Sequence, residues 1–222
     1  MTPGIAASAT SLGGLYAVTS EALCRSPELL LAAVENALAG GAQLIQYRDK
    51  LNPEAMRERN ARALRDLCRG NGARLIINDD AELAARVGAD GVHIGQADLS
   101  LEQARAKVGD RAIIGVSCAN SIARAVSAAA GGADYVAFGR FFASRTKPDA
   151  PPATIDLLRQ ARARLSIPIC AIGGITAHNA APLIAAGADL IAAVEGVFAT
   201  VDVRRAAAAY SALFMKQSRQ DQ

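Results

Sequence analysis

The stretch Ala81-Glu82-Leu83-Ala84-Ala85-Arg86-Val87-Gly88-Ala89-Asp90-Gly91-Val92-His93-Ile94 holds one full return from helix to strand. Ala81 to Val87 reads as a short helix and Gly91 to Ile94 as a short apolar strand. Between them Gly88 supplies a left-handed C-cap and Asp90 introduces the strand. The same triplet stands between a helix and a strand at Gly132-Ala133-Asp134 and at Gly187-Ala188-Asp189, a weak internal repeat. Turns of this kind run beneath a sheet, so Asp90, Asp134 and Asp189 are read as structural.

Outward from this unit the alternation continues in both directions. Strands are expected at Leu15 to Thr19, Gln43 to Gln46, Arg74 to Ile77, Gly91 to Ile94, Ala112 to Gly115, Tyr135 to Phe138, Ile169 to Ile172 and Leu190 to Val194. Helices are expected at Pro27 to Ala39, Pro53 to Arg69, Ala81 to Val87, Ser100 to Lys107, Ser121 to Ala130, Thr154 to Arg164, Ala177 to Ala186 and Val203 to Lys216. The strands are continuous apolar runs, as a parallel sheet covered by helices on its faces requires. Eight such units favour an α/β fold of the (β/α)8 TIM-barrel type over an open doubly wound sheet. No linker divides it, so residues 15–216 are expected as one barrel, with 1–14 a flexible lead and 217–222 a flexible tail.

With 222 residues and a net charge of +3 from interspersed acids and bases, the chain shows no basic face for nucleic acid. It has no stretch of transmembrane length and no secretory leader pattern. Cys24, Cys68, Cys118 and Cys170 lack CxxC spacing, which points to reduced thiols in a cytoplasmic protein. The sequence does not set the oligomeric state, and a homo-oligomer is compatible with it.

Polar clusters end the apolar runs, and a parallel barrel gathers those strand ends on one face. Along Gln46-Tyr47-Arg48-Asp49-Lys50, alternation puts Gln46, Arg48 and Lys50 on one side and Tyr47 and Asp49 on the other. Arg clamps phosphate through two hydrogen bonds and Lys serves as a movable charge, although a charged loop with an internal ion pair is the simpler reading of this motif alone. In Asn78-Asp79-Asp80, Asp80 suits the N-cap of the following helix and leaves Asp79 over. Asp98 lies at the equivalent level on the next strand, about 4.8 Å away in sheet spacing. Two carboxylates so placed suit Mg²⁺, which completes its shell with water and phosphate oxygens. The structural alternative for Asp98 is a cap for the helix at Ser100. Gly173-Gly174 after strand seven and Gly196 after strand eight suit a backbone phosphate cup, or simple turns. His93, inside an apolar run, and His178, at a helix start, are read as structural.

QYRDK, NDD, GVHIGQAD, GVS, SRTK, AIGGIT and a final apolar strand ending in Val194, in this order, resemble the thiamine-phosphate synthase family from Leu15 to Phe214. The resemblance implies a barrel transferase joining 4-amino-5-hydroxymethyl-2-methylpyrimidine diphosphate to a thiazole phosphate, with release of pyrophosphate. It gives Gln46, Tyr47, Arg48, Asp49, Lys50, Asn78, Ser117 and Lys147 to the pyrimidine diphosphate, with Arg48, Lys50, Ser117 and Lys147 as the catalytic set. It gives Asp79 and Asp98 to Mg²⁺, and Ser144, Arg145, Thr146, Gly174, Val194 and Glu195 to the thiazole phosphate. Ser144 stands where the family has Thr, and Glu195 where it has Ser. The rivals are a thiazole tautomerase, which needs no diphosphate and metal site, another phosphate-binding barrel such as a sugar-phosphate isomerase, and a degenerate regulatory barrel.

Overall fold

The computed structural model describes residues 12–143 and 151–220. Eight strands appear in the expected order: β1 (Gly14–Val18), β2 (Leu44–Tyr47), β3 (Arg74–Asn78), β4 (Gly91–Ile94), β5 (Ile113–Ala119), β6 (Tyr135–Gly139), β7 (Ile169–Ile172) and β8 (Leu190–Ala193). Each is parallel to its neighbour and β8 pairs back onto β1, which closes the barrel. The intervening helices are α1 (Pro27–Ala39), α2 (Glu54–Gly70), α3 (Ala81–Val87), α4 (Leu101–Val108), α5 (Ile122–Ala130), α6 (Ile155–Arg162) and α7 (Ala181–Ala185), followed by α8 (Glu195–Phe198) and α9 (Val203–Gln220).

The helix starts follow from local chemistry. Ser26, Asp80, Ser100, Ser121 and Thr154 each accept a hydrogen bond from a backbone N–H of the first turn, and Ser100 with Gln103 completes a capping box. The main departures from expectation are three shifted ends and one additional short helix. Asn179 Oδ1 accepts from the Thr176 N–H and forms a turn there, so α7 starts later, with Pro182 in its first turn. β5 runs on to Ala119 through a register shift after Ser117. The short α8 directly after β8 carries no periodic pattern of its own, and α9 extends past Lys216 to Gln220.

Two apolar layers result. Outward residues such as Ile45, Leu75, Val92 and Phe138 pack against the helices, while Tyr16, Val18, Leu44, Ile76, Tyr135 and Leu190 fill the barrel, where Leu12 joins them. The repeated turn also shows why it carries aspartate. Asp90, Asp134 and Asp189 accept from the backbone N–H of Leu75, Ile114 and Ile169 at 2.8, 2.8 and 2.7 Å, and their own N–H groups donate to the carbonyls of those same residues. Each aspartate thus pins the preceding strand, and Gly88, Gly132 and Gly187 supply the positive φ that precedes it. Asp189→Ala should strand the buried Ile169 N–H and cost about 1–3 kcal/mol. An unchanged urea midpoint would show that this contact carries no stability.

Candidate active site

The C-terminal ends of the strands open on a cavity of about 650 Å³, bordered by Gln46, Arg48, Lys50, Asn78 and Ser117. Asp79, Asp98, Gly174, Val194 and Glu195 border the same cavity. Residues up to 180 positions apart in sequence, from Tyr16 to Gly196, therefore share one chamber, as barrel closure dictates. Ser144, Arg145, Thr146 and Lys147 lie outside the described residues.

Tyr47 and Asp49 do not reach the chamber with the rest of their motif. Tyr47 is buried on the outer face of β2, where its hydroxyl donates to Asp49 Oδ2 at 2.7 Å and Asn60 of α2 approaches it. Asp49 also accepts from the N–H groups of Leu51 and Asn52 and from the Asn52 amide. These bonds, with the one from Tyr47, outweigh its burial and hold its carboxyl below the usual range. The reason is the strand period: with Gln46 facing in, Tyr47 and Asp49 face the helices. The family resemblance assigned both to the ligand; their position makes them a clamp on the loop that carries Arg48 and Lys50. Arg48 points the other way, its guanidinium 3.1 Å from Glu21 and its backbone N–H donating to Thr19 Oγ1.

Asp79 occupies the left-handed region, with φ of 64°, at a tight turn in which the Asp80 N–H donates to the Asn78 carbonyl. Its own N–H donates to the His93 carbonyl on β4 at 2.8 Å. This conformation is costly for a side-chain-bearing residue, and asparagine and aspartate tolerate it best. Here it accompanies a carboxyl brought within hydrogen-bonding reach of Asp98, with Lys50 Nζ 3.1 Å from the Asp79 Oδ2. Asp98 does not cap α4, a role Ser100 fills; it accepts instead from the Gly95 N–H at 2.6 Å. Burial raises Asp98 above the usual carboxylate range, and the neighbouring Asp79 adds to that rise against the Gly95 bond. Burial also pushes on Asp79, but hydrogen bonds from Asp98 and Lys50 and the ammonium charge outweigh it and hold Asp79 low. Two facing carboxyls form a place a cation fits. Among the described residues no group of three or more His, Cys, Asp or Glu gathers, so an all-protein cage of the zinc type has no basis there. Two carboxylates with open positions beside them match the donor set of Mg²⁺.

The glycines after β7 and β8 have a packing reason. A Cβ on Gly174 would lie 2.2 Å from the Ala143 carbonyl oxygen, and one on Gly196 would lie 2.2 Å from the Tyr210 hydroxyl. The loop after β6 and helix α9 therefore sit directly on these turns, with Tyr210 donating to the Ile175 carbonyl at 2.8 Å. Glu195 begins α8 and its side chain is exposed at the rim. Among the residues that escaped the sequence reading, three border the chamber and a fourth, Glu21, pairs with one that does. Tyr16 is an inward residue inside a strand, Arg140 follows β6, Glu21 lies in the loop after β1, and His93 faces inward although its run is apolar. Inward alternation at the strand ends was the available signal for Tyr16 and His93.

A closed parallel barrel whose C-terminal mouth combines cations with a paired carboxyl site defines a (β/α)8-barrel enzyme. The sequence model of the family described as thiamine monophosphate synthase matches residues 15–197. Thiamine-phosphate synthase of Marinobacter nauticus is 57% identical over 185 residues, spanning 83% of this chain and 82% of that protein. The protein of the same name from Thioalkalivibrio sulfidiphilus is 54% identical over 203 residues, 91% of this chain and 96% of that protein. Among solved structures, thiamine phosphate pyrophosphorylase from Pyrococcus furiosus superposes with a TM-score of 0.83 at 33% identity, covering 91% of this chain and 96% of the other. The chain belongs to the thiamine-phosphate synthase family, a family of transferases.

Proposed function

We propose that this chain joins 4-amino-5-hydroxymethyl-2-methylpyrimidine diphosphate to a 4-methyl-5-(2-phosphoethyl)thiazole, giving thiamine monophosphate and pyrophosphate. The observation that carries this reading is the Asp79–Asp98 carboxyl pair beside Lys50 and Arg48. A thiazole tautomerase would need no site for a diphosphate with its metal. Asp79 and Asp98 would hold Mg²⁺, which supplies positive charge to the diphosphate oxygens when bound.

The chain's own groups do the remaining work. Arg48, Lys50 and Lys147 meet the negative charge that grows on the leaving pyrophosphate as the carbon–oxygen bond at the pyrimidine methylene breaks and its electron pair departs with oxygen. Glu21 holds the Arg48 guanidinium at the mouth before ligand arrives. Gln46, Asn78 and Ser117 orient the pyrimidine, whose electron-rich ring bears the methylene cation until the thiazole nitrogen forms the new bond. No protein nucleophile is required, so positioning and electrostatics suffice. The thiazole phosphate takes the opposite side of the chamber, with Ser144, Arg145, Thr146, Gly174, Val194 and the Glu195 backbone. The described cysteines are all buried and free, which suits a reducing compartment such as the cytoplasm. No helix among the described residues is long and apolar enough to cross a membrane.

Incubating purified protein with both substrates and Mg²⁺ should yield thiamine monophosphate and pyrophosphate; absence of both products across conditions would sink the reading. Glu195 offers a sharper test of the thiazole side. Its carboxylate repels a phosphate at the rim, so Glu195→Ser should lower the KM for thiazole phosphate a few-fold at low ionic strength. The KM for pyrimidine diphosphate should stay constant. A rise in the thiazole KM would mean that Glu195 assists binding.

A further inference from the structure

Below the mouth a hydrogen-bonded chain crosses the barrel interior. Gln46 Nε2 on β2 donates to the Tyr16 hydroxyl on β1 at 2.7 Å. The Tyr16 hydroxyl lies 2.8 Å from that of Tyr135 on β6, and the Tyr135 hydroxyl lies 2.9 Å from His93 Nδ1 on β4. The two tyrosine rings meet edge to face at 5.9 Å, and the His93 ring stacks on Tyr135 at 5.6 Å. Room for the Tyr135 ring comes from Gly115, where a Cβ would lie 2.0 Å from Tyr135 Cζ. Tyr16 and Tyr135 are 1% and 0% exposed, and burial raises both phenols, so each stays a neutral hydroxyl with one proton to give.

A buried hydroxyl whose proton lacks an acceptor is costly, so the protons of this chain must all point the same way. With the Gln46 nitrogen donating to Tyr16, the Tyr16 proton goes to Tyr135 and the Tyr135 proton goes to His93 Nδ1. The neutral imidazole then carries its own proton on Nε2. Reversing one member reverses them all: a flipped Gln46 amide would demand a His93 proton on Nδ1. Gln46 and His93 both border the chamber, so this chain sets which hydrogen-bonding character each presents there.

We propose that Tyr16 and Tyr135 are positioning residues that lock the Gln46 amide and the His93 tautomer together, leaving Gln46 Oε1 as an acceptor for the exocyclic amino group of an aminopyrimidine. The ligand half of this statement rests on the reading of the chamber given above; the proton half does not. An amino group donates where the oxo group of a 4-oxo analogue only accepts, so a locked Gln46 acceptor discriminates between the two ligands.

The chain contains two histidines, and His178 is exposed, so the His93 ring signals can be assigned by removing His178 with His178→Ala. Imidazole ¹H–¹⁵N correlation spectra of the untagged full-length protein, without substrate and at a pH where the ring is neutral, should show His93 protonated at Nε2. Tyr135→Phe should convert this to a mixture of tautomers. A ring protonated at Nδ1, or a Tyr135→Phe spectrum like that of the parent, overturns the proton chain. Should Tyr135→Phe fail to fold, Tyr16→Phe breaks the same chain one bond further on and is read by the same spectrum.

The ligand half is read by binding of the 4-amino and 4-oxo pyrimidine diphosphates. Tyr16→Phe should reduce the preference for the amino form roughly tenfold, the scale of one neutral hydrogen bond. An unchanged preference overturns the specificity claim. Failure of the parent protein to bind either pyrimidine would instead overturn the proposed function, with the spectra still deciding the chain.

Discussion

Asp98→Asn and Asp79→Asn should each lower Mg²⁺-dependent turnover by at least ~10²-fold, the scale of losing one electrostatic stabiliser in a transition state, yet they should move stability in opposite directions. The Asp98 carboxyl is raised by burial and by its partner, so its ionised form costs the fold stability as pH rises through that raised value. Asparagine removes this charge and can still accept from the Gly95 N–H. Asp98→Asn should therefore have a higher urea midpoint than the parent at pH 7. Asp79 is held low with Lys50 beside it, so its ionised form stabilises above the unfolded value, and that contribution is lost as pH falls through the folded value. Asp79→Asn should therefore be less stable at pH 7, with the difference closing in acid. Measurements are made in chelator, so that metal does not add its own binding energy. Near-normal turnover in both variants would remove the two-carboxylate metal site, and a stability change of the same sign in both would remove the opposed roles.

Arg48→Gln should lower kcat by ~10²- to 10³-fold with the protein still folded. The guanidinium side chain is 16% exposed at the mouth and its ion-pair partner Glu21 is 42% exposed, so cutting the pair leaves a solvated carboxylate. The loop is held independently, through the Arg48 N–H to Thr19 and through the Tyr47–Asp49–Asn52 clamp. The loss should fall on kcat if Arg48 meets charge that develops as pyrophosphate leaves. Arg48→Lys should recover little, because a point charge does not replace a planar two-bond clamp. Pyrophosphate release under saturating substrates reads the outcome, and a change confined to KM would make Arg48 a ground-state binding residue.

The Gln46 to Lys50 motif shows how far a local rule reaches. Strand alternation by itself sends Tyr47 and Asp49 to the side away from Arg48, and the structure places them with α2. A motif shared across a family holds clamp residues along with those that face the ligand, so the string as a whole does not separate the two. Asp80 was legible for a similar reason: an N-cap needs only the helix that follows it, and Asp80 accepts from the Leu83 N–H three residues on.

The amino-acid sequence alone determined the eight-fold strand and helix alternation, most helix starts and the Gly-Ala-Asp returns, because propensity, capping and turn chemistry act within a few residues. It also placed Gln46, Arg48, Asp79 and Asp98 at strand ends. Only the tertiary structure decided which of these ends meet. The Tyr16 and Tyr135 hydroxyls touch across 119 positions, Glu21 reaches Arg48, and the left-handed turn at Asp79 accompanies a carboxyl facing Asp98. Such contacts depend on the register with which β8 closes onto β1 and on single backbone turns, and neither leaves a periodic trace in the chain.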